Sequence, residues 1–226
     1  MLTTNESSIN TIGIIGGTGR EGKGLAFGWV KAGYHVFIGS RQAEKAQAAA
    51  EEIRALYNGK GDISGLTNNE VAKKADLIVI TVPFSAHRET LESLKIDLQG
   101  KIVIDVTVPL NPPKVTKVQM PPSGSASLEA QAILGDDVRV VTAFQNISYE
   151  NLHEGKEVDC DVLVCGDNRS ARKIVIELVK AIGLNGFDAG PLANSVVVEG
   201  MTSILIGLNN QFGVKSSGIR ITGIPR

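Results

Sequence analysis

The sequence has few of the residues that would point to a nucleic-acid partner or a metal site. Aromatic residues make up 4% of its 226 residues, and the formal net charge is −1. Without a basic surface rich in aromatic residues, there is no general electrostatic attraction to nucleic acids or to anionic membranes. The three histidines and two cysteines do not follow a metal-ligand spacing. We therefore expect no metal ion and neither a nucleic acid nor a membrane as a partner.

The two cysteines also indicate the compartment. Cys160 and Cys165 lie at either end of a predicted strand. Side chains five residues apart on a strand point to opposite faces, so these thiols are poorly placed to bond to each other. Free buried thiols are typical of a reducing compartment. The first residues are polar and lack a basic stretch followed by an apolar one, so we expect no secretory signal and a cytoplasmic protein.

A cluster of glycines is the most informative feature that the sequence does contain. It comprises Gly16, Gly17, Gly19 and Gly22. The cluster follows the apolar residues 11–15 and precedes a helix-like stretch. Glycines allow a sharp turn and a close approach to a diphosphate, while the first turn of the next helix directs free N–H groups at the anion. The spacing alone also fits an ordinary glycine-rich turn, but the strand–turn–helix context favours dinucleotide binding.

The end of the second predicted strand indicates which dinucleotide. A site for NAD usually has Asp or Glu there, which binds the ribose 2′-hydroxyl. This chain has Ser40 and Arg41, with Lys45 one helical turn further on. A guanidinium offers a planar fork of donors to a 2′-phosphate, and a lysine adds a mobile positive charge. We interpret these residues as a preference for NADP(H). The alternative is that Arg41 and Lys45 lie on a solvated helix face.

Strand-like and helix-like stretches alternate along most of the chain. Strands are predicted at residues 11–15, 34–39, 63–66, 76–82, 101–105, 139–143 and 162–165. Helices are predicted at residues 23–32, 42–57, 68–75, 85–94, 128–134 and 169–181. This alternation predicts an α/β protein with a Rossmann-type, doubly wound and mostly parallel sheet. Residues 111–125 are rich in Pro, Gly and Ser without periodicity, which predicts a long loop of the kind that is often functional.

The last part of the chain contains a long apolar segment. Residues 191–212 place apolar side chains on most faces of a predicted helix, interrupted by Glu199 and several asparagines. The polar residues argue against a membrane span, and an apolar helix in a soluble protein must be buried. A chain of this size offers little to cover it, so we expect a homodimer, with Gly200 and Gly207 allowing close helix approach. Residues 218–223 alternate and could add a short strand.

These features divide the chain into three parts. Residues 1–10 are expected to be a flexible N-terminus. Residues 11–150 are expected to form an NADP-binding Rossmann domain. Residues 151–226 are expected to complete the sheet and to add a small helical region that forms the dimer.

The sequence lacks an obvious acid–base couple for the reduction of an alcohol or carbonyl. The Tyr-x-x-x-Lys couple of short-chain dehydrogenases is missing, because His153 stands four residues after Tyr149. His87 could reach the site, but a single histidine is more often structural. We therefore predict no catalytic side chain. Hydride exchange between two bound cofactors fits this pattern, since the cofactors carry the reactivity and the protein supplies positioning.

Taken together, the motifs resemble those of a known family, the NADPH-dependent deazaflavin reductases. The resemblance runs from residue 11 to residue 223, and its specific parts are G-G-T-G-x-x-G-K-G-L-A at 16–26, G-S-R-x-x-x-K-A at 39–46, C-G-D at 165–167 and D-A-G-P-L-x-N-S at 188–195. It implies hydride transfer between NADP(H) and the deazaflavin coenzyme F420. It also implies a Rossmann domain with a small C-terminal domain, and a dimer.

The resemblance assigns roles to individual residues. The turn after the first strand would hold the pyrophosphate, the end of the second strand the 2′-phosphate, and the ends of two later strands the nicotinamide. The implied cofactor-binding residues are Gly17, Thr18, Gly19, Arg20, Glu21, Ser40, Arg41, Lys45, Val82, Pro83, Val108 and Asn146.

The sequence departs from the family pattern in one place. Family members often have His-x-Ile-Pro after the sixth strand, where this chain has Gln-Asn-Ile-Ser at residues 145–148. That region should help to enclose the nicotinamide and the deazaflavin, so the identity of the hydride acceptor stays open. The alternatives are an NADPH-dependent reductase of another flavin or of a small carbonyl or imine compound, and a non-catalytic NADP sensor.

Overall fold

The computed structural model describes residues 9–153 and 159–224. Residues 1–8, most of the expected flexible N-terminus, lie outside the described residues. In the described part, eight strands form one sheet: β1 (Thr11–Ile15), β2 (His35–Ser40), β3 (Ile63–Thr67), β4 (Leu77–Ile80), β5 (Ile102–Asp105), β6 (Arg139–Thr142), β7 (Asp161–Gly166) and β8 (Asn185–Asp188). Their order across the sheet is β3-β2-β1-β4-β5-β6-β7-β8. All neighbouring pairs are parallel except β6 and β7. The predicted Rossmann-type sheet is confirmed.

The helices that cover the sheet follow the strands in chain order. They are α1 (Arg20–Lys31), α2 (Ala43–Leu56), α3 (Asn68–Lys74), α4 (Phe84–Leu94), α5 (Ala126–Leu134), α6 (Tyr149–His153), α7 (Arg169–Ala181) and α8 (Ser195–Phe212), with a 3₁₀ turn at Leu192–Asn194. Among the described helices, three start at a side-chain cap. Thr67 and Glu70 form a capping box at α3, Ser125 accepts the Leu128 N–H at α5, and Asn168 accepts the Ala171 N–H at α7.

The buried core lies on both faces of the sheet. Ile12 and Ile14 of β1 face one side with Trp29, while Ile15 faces the other side. Trp29 is fully buried, and its indole N–H donates to the Leu178 carbonyl at 3.0 Å. This bond satisfies the polar atom of a large buried ring and joins α1 to α7.

Two elements were not expected, and one expected element is absent. β8 is half-exposed with one large apolar side chain, and α6 has only five residues, so neither carries a clear periodic pattern. The prediction of a short strand at residues 218–223 is wrong. The Ile219 carbonyl accepts the Asp161 N–H at 2.8 Å, but the Ile221 N–H donates to the carboxylate of Asp161, so a backbone ladder does not continue.

Cys160 and Cys165 are free and buried, as expected from their spacing. Burial raises the pKa of the Cys165 thiol to about 11. A thiol with such a pKa is protonated at neutral pH and is a poor nucleophile. Cys165 lies in β7 and Cys160 directly precedes this strand, and both side chains pack in the interior.

α8 is covered by its own chain on one side only. Val198, Ser203 and Leu205 are buried, whereas Val197 and Ile204 are 65% and 56% exposed. The helical spacing of the exposed apolar residues places them along one stripe, which we call the α8 stripe: Val197, Ile204, Leu208 and Phe212.

The approach of a partner's helix at Gly200 and Gly207 stays a prediction. Within the described residues, both glycines lie beside the loop before α5. A Cβ on Gly200 would lie 3.3 Å from the Val118 side chain, and one on Gly207 would lie 3.9 Å from that of Thr116. Gly200 is therefore closely packed against this loop, whereas Gly207 leaves room for a Cβ.

The apolar helical segment Leu192–Phe212 is long and apolar enough to cross a membrane by length and composition alone. Its one acidic residue, Glu199, is fully buried. The Glu199 carboxylate accepts the N–H groups of Ala126 and Ser127 at 2.7 and 3.0 Å, at the start of α5. A carboxylate at a helix N-terminus satisfies free donors and complements the helix dipole. These bonds attach α8 to α5, one of the helices that cover the sheet.

The contact between β3 and α2 gives a test of the fold. A Cβ on Gly65 would lie 2.2 Å from the backbone of Ala46 and Gln47, which cannot move aside as a side chain can. We expect Gly65→Ala to lower the free energy of unfolding by about 1–3 kcal/mol or more. Urea denaturation followed by circular dichroism measures the change. Gly207→Ala is the matched control, because it has room in mid-helix and should raise stability by roughly 0.5–1 kcal/mol. Similar values for the two variants would contradict the close approach of β3 and α2.

Candidate functional site

A large cleft in the described residues opens beyond the carboxyl ends of β1, β2, β4 and β5. Its volume is about 1660 Å³. The strand order reverses between β1 and β4, and ligands of open α/β sheets bind outside the strand ends at such a point. A site for one drug-sized ligand usually measures about 300–1,000 Å³. The cleft therefore has room for a dinucleotide together with a second ligand.

The turn between β1 and α1 forms one wall of the cleft. Two of its glycines are required because a larger residue would clash with neighbouring atoms. Gly16 has φ +73°, and a Cβ there would lie 2.6 Å from the Val82 side chain. A Cβ on Gly22 would lie 2.6 Å from the Cα of Gly17. The turn is thus closely packed against β4 and against itself, so a side chain at these positions would displace the backbone.

The first turn of α1 offers backbone donors to the cleft. Gly19 stands at its N-cap position with an extended backbone, and no side chain caps the helix. Gly19 and Thr18 line the cleft. Uncapped N–H groups with the positive end of a helix dipole favour an anion such as a diphosphate. Gly17 lies beneath this surface, where its N–H donates to the Gly39 carbonyl at 3.0 Å, and it does not line the cleft.

Glu21 is an acidic residue in this turn. It lines the cleft, its Oε1 is buried, and that atom has no hydrogen-bond partner among the described residues. Burial raises the pKa of Glu21 to about 8. The side chain is therefore mostly protonated at neutral pH, and it can donate a hydrogen bond to a phosphate oxygen instead of repelling it.

Arg20 points elsewhere. Its guanidinium donates to the Tyr149 hydroxyl at 2.7 Å and lies 5.3 Å from the centre of that ring. Arg20 does not line the cleft. In this structure it joins α1 to α6.

The end of β2 supplies cations to the same cleft. Ser40, Arg41 and Lys45 all line it, and the two cations are exposed to solvent. Neither Arg41 nor Lys45 has an acidic partner within 4 Å in the parts of the chain that the structure describes. Unpaired cations at the mouth of a cleft are available to an anionic ligand.

The ends of β4 and β5 form the opposite end of the cleft. Val82 and Pro83 follow β4, and Val108 lies in the segment after β5; all three line the cleft. The Thr81 hydroxyl donates to the Ile15 carbonyl at 3.0 Å, and the Thr107 hydroxyl donates to the Val82 carbonyl at 3.3 Å. The sequence Thr-Val-Pro stands at residues 81–83 and again at 107–109. The two copies form adjacent walls that are hydrogen-bonded to each other and to β1.

Asn146 lies away from the cleft lining. It is 5% exposed, and its amide donates to the Val198 carbonyl of α8 at 2.9 Å. The neighbouring Gln145 amide donates to the Asp105 carbonyl at 2.6 Å. Residues 145–148 depart from the deazaflavin reductase pattern, and the first two of them use their side-chain amides for hydrogen bonds within the chain.

The remainder of the cleft was missed by sequence reasoning. Asn68 lines it and accepts the Gly16 N–H on its Oδ1 at 3.3 Å. One face of α4 and the proline-rich loop before α5 form a further wall; its residues include Glu89, Thr90, Ser93, Leu110, Pro112, Val115 and Met120. The loop was expected to be functional, but no periodicity shows which of its residues face a ligand.

His87 is placed behind the cleft. It is fully buried, and its Nε2 lies 2.9 Å from the Asp105 carboxylate. It does not line the cleft. No group of three or more His, Cys, Asp or Glu side chains that could hold a metal ion occurs in residues 9–153 and 159–224.

Comparison with known proteins agrees with this arrangement. The family model described as "NADP oxidoreductase coenzyme F420-dependent" matches residues 11–109, which include the ends of β1, β2, β4 and β5. A solved structure titled as a putative F420-dependent NADP reductase from Arthrobacter sp. FB24 superposes with a TM-score of 0.79 at 22% identity, over 96% of this chain and 100% of that one. This likeness supports the fold.

Relatives found by sequence comparison share a higher identity with this chain than that solved structure does. The F420-dependent NADP reductase of Methanocaldococcus jannaschii is 40% identical over 221 residues, which are 94% of this chain and 98% of the relative. The enzyme of the same name from Methanothermobacter thermautotrophicus is 40% identical over 222 residues, 95% of each chain. With nearly full coverage of both, the chain belongs to the family of F420-dependent NADP oxidoreductases.

Proposed function

We propose that the protein transfers a hydride between NADP(H) and the deazaflavin coenzyme F420. The observation that carries this proposal is one cleft that joins a glycine-rich diphosphate turn, a cationic end and an apolar end lined by Val82 and Pro83. The 40% identity to F420-dependent NADP reductases over nearly the full length of the chain supports coenzyme F420 as the hydride acceptor. In the direction of deazaflavin reduction, NADPH, oxidised deazaflavin and one proton give NADP⁺ and reduced deazaflavin.

The residues of the cleft fit NADP(H). The turn at Gly16 and Gly22 leaves no space for a Cβ, as the tight turn and the close helix packing of a diphosphate site require. The orphaned Oε1 of Glu21 lies in the same turn and gains a partner if a phosphate oxygen binds there. Ser40, Arg41 and Lys45 would hold the 2′-phosphate.

Catalysis in this proposal rests on positioning. Glu21, Arg41, Lys45 and Glu89 are the titratable residues among those that line the cleft. Both cations lie at the 2′-phosphate end, and Glu21 lies in the diphosphate turn. Glu89 lies on α4 and is exposed to solvent. Val82, Pro83 and Val108 themselves offer shape and no proton donor, which suits a direct hydride exchange.

Direct transfer is tested by isotope labelling. NADPH that carries deuterium at the transferred position should give deuterated reduced deazaflavin in ordinary water, because no side chain or solvent exchanges a hydride. Bleaching of the deazaflavin absorbance follows turnover, and mass spectrometry of the product follows the label. Complete loss of the label to solvent, or an absence of bleaching with enzyme that binds NADPH, would overturn the proposal.

Cofactor preference is tested at Arg41. Charge-assisted hydrogen bonds to a phosphate contribute roughly 1.5–3 kcal/mol. Arg41→Ala should therefore weaken NADPH binding by about 10- to 150-fold and leave NADH binding almost unchanged. Isothermal titration of both nucleotides measures this. Lys31→Ala, which removes an exposed cation at the far end of α1, is the control and should change neither affinity. Equal losses for NADPH and NADH would contradict the assignment of the 2′-phosphate.

We further propose that the protein is a cytoplasmic homodimer without nucleic-acid or membrane partners. In this proposal residues 11–150 bind NADP(H), and residues 151–226 complete the sheet and carry the dimer contact. The α8 stripe supports it, since it presents apolar side chains that the described part of the chain leaves open to water. The net charge of −1 offers no attraction to anionic surfaces.

The α8 stripe gives a test of this dimer. Leu205 is only 8% exposed and packs within its own chain, so the exposed Ile204 is the residue to change. Ile204→Asp should place a charge in the interface and convert a dimer near twice 23.9 kDa into a monomer, as measured by light scattering at micromolar concentration. Asn210→Asp adds the same charge on an exposed site away from the stripe and should leave the dimer intact. A wild-type mass near 23.9 kDa would contradict the proposal.

A further inference from the structure

We propose that His87 and Asp105 form a buried positioning pair, which holds the two nicotinamide-side walls of the cleft in a fixed relative position. The inference rests on the proposed binding of NADP(H) in this cleft and names residues outside its lining. Both side chains are fully buried, and neither reaches the cleft surface. Their effect on a ligand must therefore pass through the backbone that they hold.

Asp105 is the centre of the arrangement. It is the last residue of β5, where the chain leaves the sheet. Its Oδ2 lies 2.9 Å from His87 Nε2, and its Oδ1 accepts the Thr107 N–H at 3.0 Å. Its backbone carbonyl accepts the amide of Gln145 at 2.6 Å. Three acceptor atoms of one residue thus fix the start of the wall that contains Val108.

His87 connects this centre to the other wall. It lies in the first turn of α4, four residues after Pro83, and residues 84–86 between them line the cleft. Pro83 has no side-chain hydrogen bond with which to cap the helix. The His87–Asp105 bond is therefore a direct side-chain tie between the first turn of α4 and the end of β5. The Thr107–Val82 hydrogen bond is a second tie, nearer to the ligand.

The charge of Asp105 favours the protonated form of the His87 imidazole. Burial opposes the charged imidazolium, but the charge of Asp105 and its hydrogen bond outweigh burial, and the pKa of His87 is raised above its usual value. Glu129 and Glu199 add to this effect from α5 and α8. The Nδ1 of His87 has no hydrogen-bond partner among the described residues. Among the described residues, Asp105 is thus the hydrogen-bond partner of the imidazole, and removing the imidazole leaves the buried Asp105 carboxyl without that partner.

This arrangement predicts that the two halves of the dinucleotide respond differently to a change at His87. The adenine half, with its 2′-phosphate, lies at the β2 end and does not depend on the two tied walls. The nicotinamide half lies between them, and a displacement of about 1 Å in such a wall can cost up to 10²-fold in rate. A loss that is confined to the nicotinamide half marks a positioning role, whereas general damage to the fold affects both halves.

The experiment compares His87→Leu with His87→Gln. The leucine removes the bond to Asp105, and the glutamine keeps an N–H donor on a side chain of similar reach. The probes are 2′,5′-ADP, which represents the adenine half, and the emission of bound NADPH, which reports the surroundings of the nicotinamide without any acceptor. We expect His87→Leu to bind 2′,5′-ADP within twofold of wild type, to shift NADPH emission towards that of free NADPH, and to lose about 10- to 100-fold in turnover. His87→Gln should recover most of both signals.

Other outcomes would overturn the inference. Unchanged NADPH emission and turnover in folded His87→Leu would show that the walls do not need the pair, and parallel loss of 2′,5′-ADP binding would show a general structural role. If the leucine variant does not fold, Gln145→Leu removes only the bond to the Asp105 carbonyl; it should shift emission in the same direction, and no shift would contradict the inference. Wild-type protein that binds both probes but does not reduce the deazaflavin would refute the acceptor and leave this inference standing.

Discussion

The parallel pairing of β1 with β4 is the constraint on which the rest of the site depends. Ile15 is paired with Ile80, so the two strands end at the same level, and the Thr81 N–H donates to the Ile15 carbonyl at 3.0 Å. From this level the chain leaves β1 into the glycine turn and leaves β4 into the first turn of α4. The order of strands reverses here, so the two exits diverge and open a cleft between them. The close packing of Gly16 against Val82 follows from the same pairing.

The cleft separates charge from apolar surface along its length. Arg41 and Lys45 lie at one end without acidic partners in the described parts of the chain, and the ends of β4 and β5 present Val and Pro at the other. Glu21, between them, has a pKa of about 8 and adds little negative charge at neutral pH. In the proposed binding mode, a diphosphate would meet helix N–H groups and a mostly neutral carboxyl. Such a division would orient a dinucleotide along the cleft.

Sequence reasoning recovered the parts of the structure that follow from local patterns. Continuous apolar runs predicted the buried parallel strands, and the glycine spacing with Ser40 and Arg41 predicted where the cleft lies. β8 was missed because an edge strand with the sequence Asn-Gly-Phe-Asp has neither alternation nor an apolar run. The side of α8 that its own chain covers was also unpredictable, since Ile204 and Leu205 are both apolar and only the packing distinguishes them. The His87–Asp105 pair spans 18 residues and two elements, so it depends on tertiary contacts alone.

In the proposed binding mode, one dinucleotide extends from the end of β2 to the ends of β4 and β5. A crystal structure of the complex with NADP⁺ would test this binding mode. The 2′-phosphate should lie within hydrogen-bond distance, about 3 Å, of the Arg41 guanidinium, and the nicotinamide ring should contact Val82 and Pro83. A dinucleotide bound in the opposite direction, or one whose 2′-phosphate is remote from Arg41 and Lys45, would contradict it.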